Sequence, residues 1–127
     1  MSKSKIILAA AGLLALAALP STAADNKTEI ATAAAHAGMA ASASAPQMVK
    51  THLQHVVNCL EGPKGADFVA SMGNPCGSQG EGAIPDAGQD GKKKLEDIAG
   101  RAKQAQSEQD IDKAKKMASE IQADLTK

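Results

Sequence analysis

Residues 48–63 read Met48-Val49-Lys50-Thr51-His52-Leu53-Gln54-His55-Val56-Val57-Asn58-Cys59-Leu60-Glu61-Gly62-Pro63. Val49, Leu53, Val56 and Leu60 fall at steps of four, three and four, which gathers them on one face of an α-helix. Met48, His52, His55 and Cys59 repeat the same steps one residue earlier. A thioether, two imidazoles and a thiol therefore share the stripe beside the apolar one. Gly62-Pro63 then stops the helix, since glycine tolerates the C-terminal turn and proline cannot continue it.

Upstream, Ser44-Ala45-Pro46-Gln47 reads as a capping box, with Ser44 as the cap and Gln47 at the third helical position. The helix is expected over 45–61. Residues 26–42 are dense in alanine, the best helix former, with only Gly38 against it. So short a connection makes the two helices antiparallel, an αα-hairpin over 26–61.

Downstream, residues 62–91 carry eight of the 11 glycines together with Pro63, Pro75 and Pro85. This reads as a long crossover, with at most a turn of helix around 66–72, and a loop of that length needs an anchor. Beyond it, apolar positions recur at Leu95, Ile98, Ala102 and Ala105, then at Ile111, Ala114, Ala118, Ile121 and Leu125. The phase slips between Ala105 and Ile111, where Ser107 with Asp110 three residues on looks like a fresh N-cap. The expectation is a second hairpin over 92–126, built from helices 92–106 and 108–126, whose Lys-rich outer faces are solvated surface. The fold class is all-α, a small four-helix bundle of two αα-hairpins joined by a Gly/Pro-rich crossover.

The first 24 residues have the form of an export signal. Lys3 and Lys5 precede a 14-residue apolar run, 6–19, and Pro20 and the small residues Ser21, Thr22, Ala23 and Ala24 follow. The run is short of the ~20 residues needed to span a bilayer. Cleavage after Ala23 or Ala24 leaves a single domain, 25–127, expected in the oxidising periplasm of a Gram-negative bacterium. Losing Lys3 and Lys5 leaves 12 basic side chains against 14 acidic ones. That balance argues against nucleic acid or an anionic membrane as partner. Phe68 is the only aromatic residue, so base-stacking platforms are excluded as well. Leu, Ile, Val and Phe number 14 in residues 25–127, so the core must rely on alanine.

Chemistry concentrates on the first hairpin. If it turns near 43–44, His36 faces His52 and Met39 faces Met48, with His55 one turn further along. Imidazole and thioether together suit soft and borderline metals, copper above all. Cys59 and Cys76 are the only cysteines, an even count that reads as one disulfide in an oxidising compartment. It would staple the crossover to the second helix and contribute about 3 kcal/mol by loop closure. No catalytic constellation stands out. Gly-x-Ser-x-Gly, C-x-x-C and a P-loop are absent, and no carboxylate pair converges for acid–base work.

An Ala-rich, two-hairpin chain with an export signal and histidines at helical spacing resembles the small periplasmic metal-binding proteins of Gram-negative bacteria. That resemblance implies a four-helix bundle binding copper or other divalent metals. With three histidines rather than many, it implies one site. His52 to Pro63 with Asn74-Pro75-Cys76 also has the look of a signature. The leading expectation is a non-enzymatic protein holding one transition-metal ion, copper first, through His36 and His52, with Met39, Met48 and His55 next. The alternatives are a structural or adaptor bundle that binds another periplasmic protein, and non-covalent haem binding through His52 or His55. Phe68 alone offers little aromatic wall for a porphyrin.

Overall fold

The computed structural model describes residues 26–127; the expected signal, 1–24, and its cleavage point lie outside the described residues. Among the described residues there are four α-helices: α1 (Lys27–Ser42), α2 (Pro46–Glu61), α3 (Gln89–Ser107) and α4 (Ile111–Leu125). A three-residue 3-10 turn, Ala70–Met72, sits in the crossover, and no strand occurs among the described residues. α1 packs on α2 and α4, and α3 packs on α2 and α4, so neighbours in sequence are neighbours round the bundle. Three-residue turns force α1 against α2 and α3 against α4 antiparallel. Gln106 reaches Gln54 and Lys103 approaches Glu61, so α2 and α3 are antiparallel too. The topology is up-down-up-down, and among the described residues no helix is long and apolar enough to cross a membrane.

The core follows from the thin apolar inventory. Apart from Glu29, the residues that α1 buries are Ala33, Ala34, Ala37 and Ala40, which lets its backbone approach α2 and α4 closely. α2 supplies the bulk with Val49, Leu53, Val56, Val57 and Leu60, all fully buried. Leu95, Ile98, Ile121 and Leu125 close the other side. Phe68 is only half-buried and stays outside this core.

Helix starts differ from the expectation at three places. Ser44 does not cap α2. Pro46 is the first helical residue and holds Ala45 extended (φ −105°, ψ 134°), so the cap position moves to a residue without a polar side chain. α4 begins at Ile111 rather than 108, because the Asp110 carboxylate accepts from the amides of Asp112 and Lys113. Ser107 instead donates back to the Lys103 carbonyl and belongs to α3. α3 starts at Gln89, three residues before the expected position, with Gly91 inside its first turn.

The crossover is anchored at every stage. The amides of Ala83 and Ile84 donate to the carbonyls of Cys59 and Leu60, completing the open end of α2. There Gly62 (φ +71°) and Gly82 (φ +125°) lie back to back, and a Cβ on Gly62 would collide with the Glu81 carbonyl. A Cys59–Cys76 disulfide joins α2 to the loop, with Cα atoms 5.2 Å apart. Disulfides of this kind belong to oxidising compartments.

From α1, Asn26 donates to the Ala83 carbonyl, and Thr32 exchanges hydrogen bonds with the Gln79 amide group. Glu29 is 0% exposed, and its Oε1 accepts from the Gly82 amide at 2.9 Å. Burial pushes the Glu29 carboxyl up, the Gly82 bond pulls it back, and the charges of Asp86 and Glu81 push it up again.

Candidate metal centre

Three helix positions build the centre. His36 projects from α1, and His52 and His55 from successive turns of α2, beside the buried pair Leu53 and Val56. The alanine face of α1 makes the approach possible, because larger residues at Ala33 or Ala37 would hold the two helices apart. The result is a cluster of half-buried imidazoles whose ligand nitrogens all lie within 4.8 Å of one another.

The geometry is specific at the nitrogens. His36 Nδ1 lies 3.2 Å from His52 Nδ1 and 3.3 Å from His55 Nδ1. Two nitrogens bonded to one tetrahedral metal, each about 2.05 Å away, are about 3.3 Å apart. The observed spacings match that edge. A neutral His36 has at most one proton on Nδ1 to share between two neighbouring nitrogens, so the cluster has more lone pairs than hydrogen atoms to fill them.

A hydrogen bond outside the cluster settles one tautomer. His55 Nε2 lies 2.7 Å from the Met72 carbonyl oxygen, which can only accept, so Nε2 carries the proton. In neutral His55 the other nitrogen, Nδ1, is then bare and faces His36. A ring nitrogen donating to a carbonyl while its partner is free is the arrangement that orients metal-binding histidines.

Electrostatics keep the rings ready. Burial, then the neighbouring rings of His55 and His52, holds His36 down at about 4. His52 is lowered as well, by burial and by His55. Near neutral pH both are uncharged, the form that ligates metal.

The other residues singled out from the sequence take different places. Met39 and Met48 are 46% and 45% exposed, one helical turn from His36 and His52 towards the hairpin turn. Cys59, on the same stripe, is fully buried in the disulfide and offers no thiolate.

Gln54 and Asn58 are the residues that the apolar stripe concealed. Both are buried, and they bind the crossover beside the centre. Asn58 donates to the carbonyls of Val69 and Gly73 and accepts from the Val69 amide. Gln54 donates to Asn58 Oδ1 and to the Asp67 carbonyl. Two amide side chains four residues apart in mid-helix, flanking a histidine, were the available signal.

Chemically, the centre can hold one cation with three imidazoles and leave further positions to water or another ligand. Neither a protein-family description, nor a curated protein, nor a solved structure matches this chain, so its function is read from this geometry alone.

Proposed function

We propose that the protein binds one transition-metal ion, copper first, through the Nδ1 atoms of His36, His52 and His55. The observation that carries this reading is the pair of Nδ1–Nδ1 spacings at His36, 3.2 and 3.3 Å, which fit a shared tetrahedral ion. Met39 and Met48 serve as nearby soft donors that favour Cu(I) over harder ions. The role is metal buffering, delivery or stress tolerance in the periplasm, without catalysis. The disulfide and the export-signal pattern of residues 1–24 support that compartment. Soft-metal chemistry also suits an Ala-rich bundle with no catalytic constellation.

Metal bound only to the folded state stabilises it by mass action, by about 2.7 kcal/mol at a hundred times the dissociation constant. In a domain of this size that raises the melting temperature by about 10 °C or more. Thermal melts with and without Cu(II), in the oxidised protein and in His36→Ala and His52→Ala, test the reading. The rise should be present in the first and mostly lost in the other two. An equal rise in all three would place copper elsewhere.

A further inference from the structure

The loop closed by Cys59 and Cys76 spans a sequence separation of 17, and it contains a backbone atom, the Met72 carbonyl oxygen, that orients a histidine of the centre. Four fastenings hold that loop on α2, one of them the Glu61 carboxylate, which accepts from the Asp67 amide. Asn58 binds it at Val69 and Gly73, on either side of Met72. Gln54 holds it at Asp67. The disulfide fixes its far end, Cys76, three residues beyond the Asn58 anchor at Gly73. Between these points the Met72 carbonyl meets His55 Nε2 at 2.7 Å.

Gly73 is the hinge of the arrangement. Its φ of +89° and ψ of 155° belong to a region that side-chain-bearing residues rarely adopt. The Met72 carbonyl and the Gly73 amide are parts of one peptide plane. The backbone angle at Gly73 therefore helps aim the carbonyl at the ring.

Resting on the metal reading above, we propose that the disulfide loop is the outer shell of the histidine centre and that the Cys59–Cys76 bond regulates its affinity. With the loop closed, the Met72 carbonyl holds the proton on His55 Nε2 and leaves Nδ1 free for metal. A dithiol reductant opens it by two exchanges. One thiolate attacks a sulfur of the Cys59–Cys76 bond, and the second displaces it from the mixed disulfide. The reductant leaves as a cyclic disulfide, and two electrons and two protons end on Cys59 and Cys76. The loop then rests on its hydrogen bonds alone, the carbonyl is held less firmly against the ring, and either nitrogen of His55 can carry the proton. Outer-shell partners of metal-binding histidines are worth 10–100-fold in affinity. By linkage, bound metal resists opening of the loop by the same factor.

The test uses Zn(II) as the probe, since it exchanges no electrons with thiols. It is titrated calorimetrically into the oxidised protein, into Gly73→Ala, which keeps the disulfide, and into the Cys59→Ala/Cys76→Ala pair, which has no thiol to bind zinc. Long-range proton–nitrogen spectra read the His55 tautomer in each. The expected result is an Nε2-protonated His55 in the oxidised protein and a mixed tautomer in both variants. Zinc affinity should fall 10–100-fold in the variants while Gly73→Ala keeps its helical circular dichroism. If the cysteine pair does not fold, Gly73→Ala decides alone. Equal affinity across the folded proteins, within threefold, overturns the loop's role and leaves the metal site standing. No zinc binding by the oxidised protein overturns both.

Discussion

His55 is held from both sides: its Nε2 donates to the Met72 carbonyl at 2.7 Å, and its Nδ1 lies 3.3 Å from Nδ1 of His36. One nitrogen of the ring belongs to the crossover and the other to the helix interface. A half-buried histidine filling space on a helix flank needs neither contact. The paired contacts are what distinguish this ring from ordinary packing, and they connect the crossover to the chemistry of the first hairpin.

The exposed thioethers should act selectively. Met39→Ala and Met48→Ala should each weaken Cu(I) binding by about tenfold and Cu(II) binding by less than threefold, because thioether sulfur is the softer donor. Competition against a chromophoric Cu(I) chelator under anaerobic conditions, alongside a Cu(II) titration, measures both. Equal losses for the two oxidation states would remove the methionines from the site.

Acid should act on the histidines first. His36 is held at about 4 against an ordinary value of 6.5, and His52 is lowered too, so the unfolded chain takes up more protons than the folded one between these values. Stability from this source is complete above pH 6.5 and is lost as the pH falls towards 4. For half-buried rings the loss is about 2 kcal/mol. His36→Gln should flatten the slope of stability between pH 6.5 and 4 in the metal-free protein, measured by urea denaturation. Metal should also leave at lower pH than it leaves free imidazole, because protons compete less well for rings that burial already holds neutral. Release complete at pH 6.5 would contradict the neutral, preorganised cluster.

At the other end of α1 the sign reverses. The Glu29 carboxyl is raised by burial, so its contribution is present at acid pH and is lost as the pH rises through its folded value. Glu29→Gln keeps an oxygen for the Gly82 amide and gains an N–H that can face Asp86. It should therefore be more stable than the parent at pH 8, by about 1 kcal/mol, and closer to it at pH 5. Chemical denaturation at the two pH values decides this. A variant less stable at both would mean that the ionised carboxylate is the form the fold uses.

How much of this was legible depended on periodicity. The stripe from Val49 to Leu60 determined α2. The short link after Ser42 determined the antiparallel hairpin, which placed His36 opposite His52. Apart from the Cys59–Cys76 staple, the crossover was not legible, because its remaining anchors are single polar groups with no period: Glu29 on Gly82, Asn26 on Ala83 and Asn58 on Val69. The partner of His55 is a backbone carbonyl, which any residue at position 72 would supply. Helix starts were misplaced where local chemistry competed, as at Pro46, whose ring sets the backbone before it, and at Asp110, which caps α4 while Ser107 bonds back to Lys103.

The disulfide should matter to stability as well as to affinity. With alanine filling most of α1's core face, the bundle leans on its one covalent staple, worth about 3 kcal/mol for a loop of this length. Full reduction should lower the melting temperature by about 10 °C or more, followed by circular dichroism. An unchanged melt would show that the hydrogen bonds of Glu29, Gln54 and Asn58 hold the crossover by themselves.

If three imidazole nitrogens bind one metal ion, calorimetric titration of Cu(II) reads it as a single stoichiometric event. The oxidised protein should bind one equivalent with a dissociation constant well below about 100 μM, an affinity beyond about 5 kcal/mol. The His36→Ala/His52→Ala double variant should bind at least a hundredfold more weakly while keeping its helical spectrum. Equal binding by the two proteins, or no binding by either below about 100 μM, would contradict the metal centre and leave a helical bundle whose histidines only pack against one another.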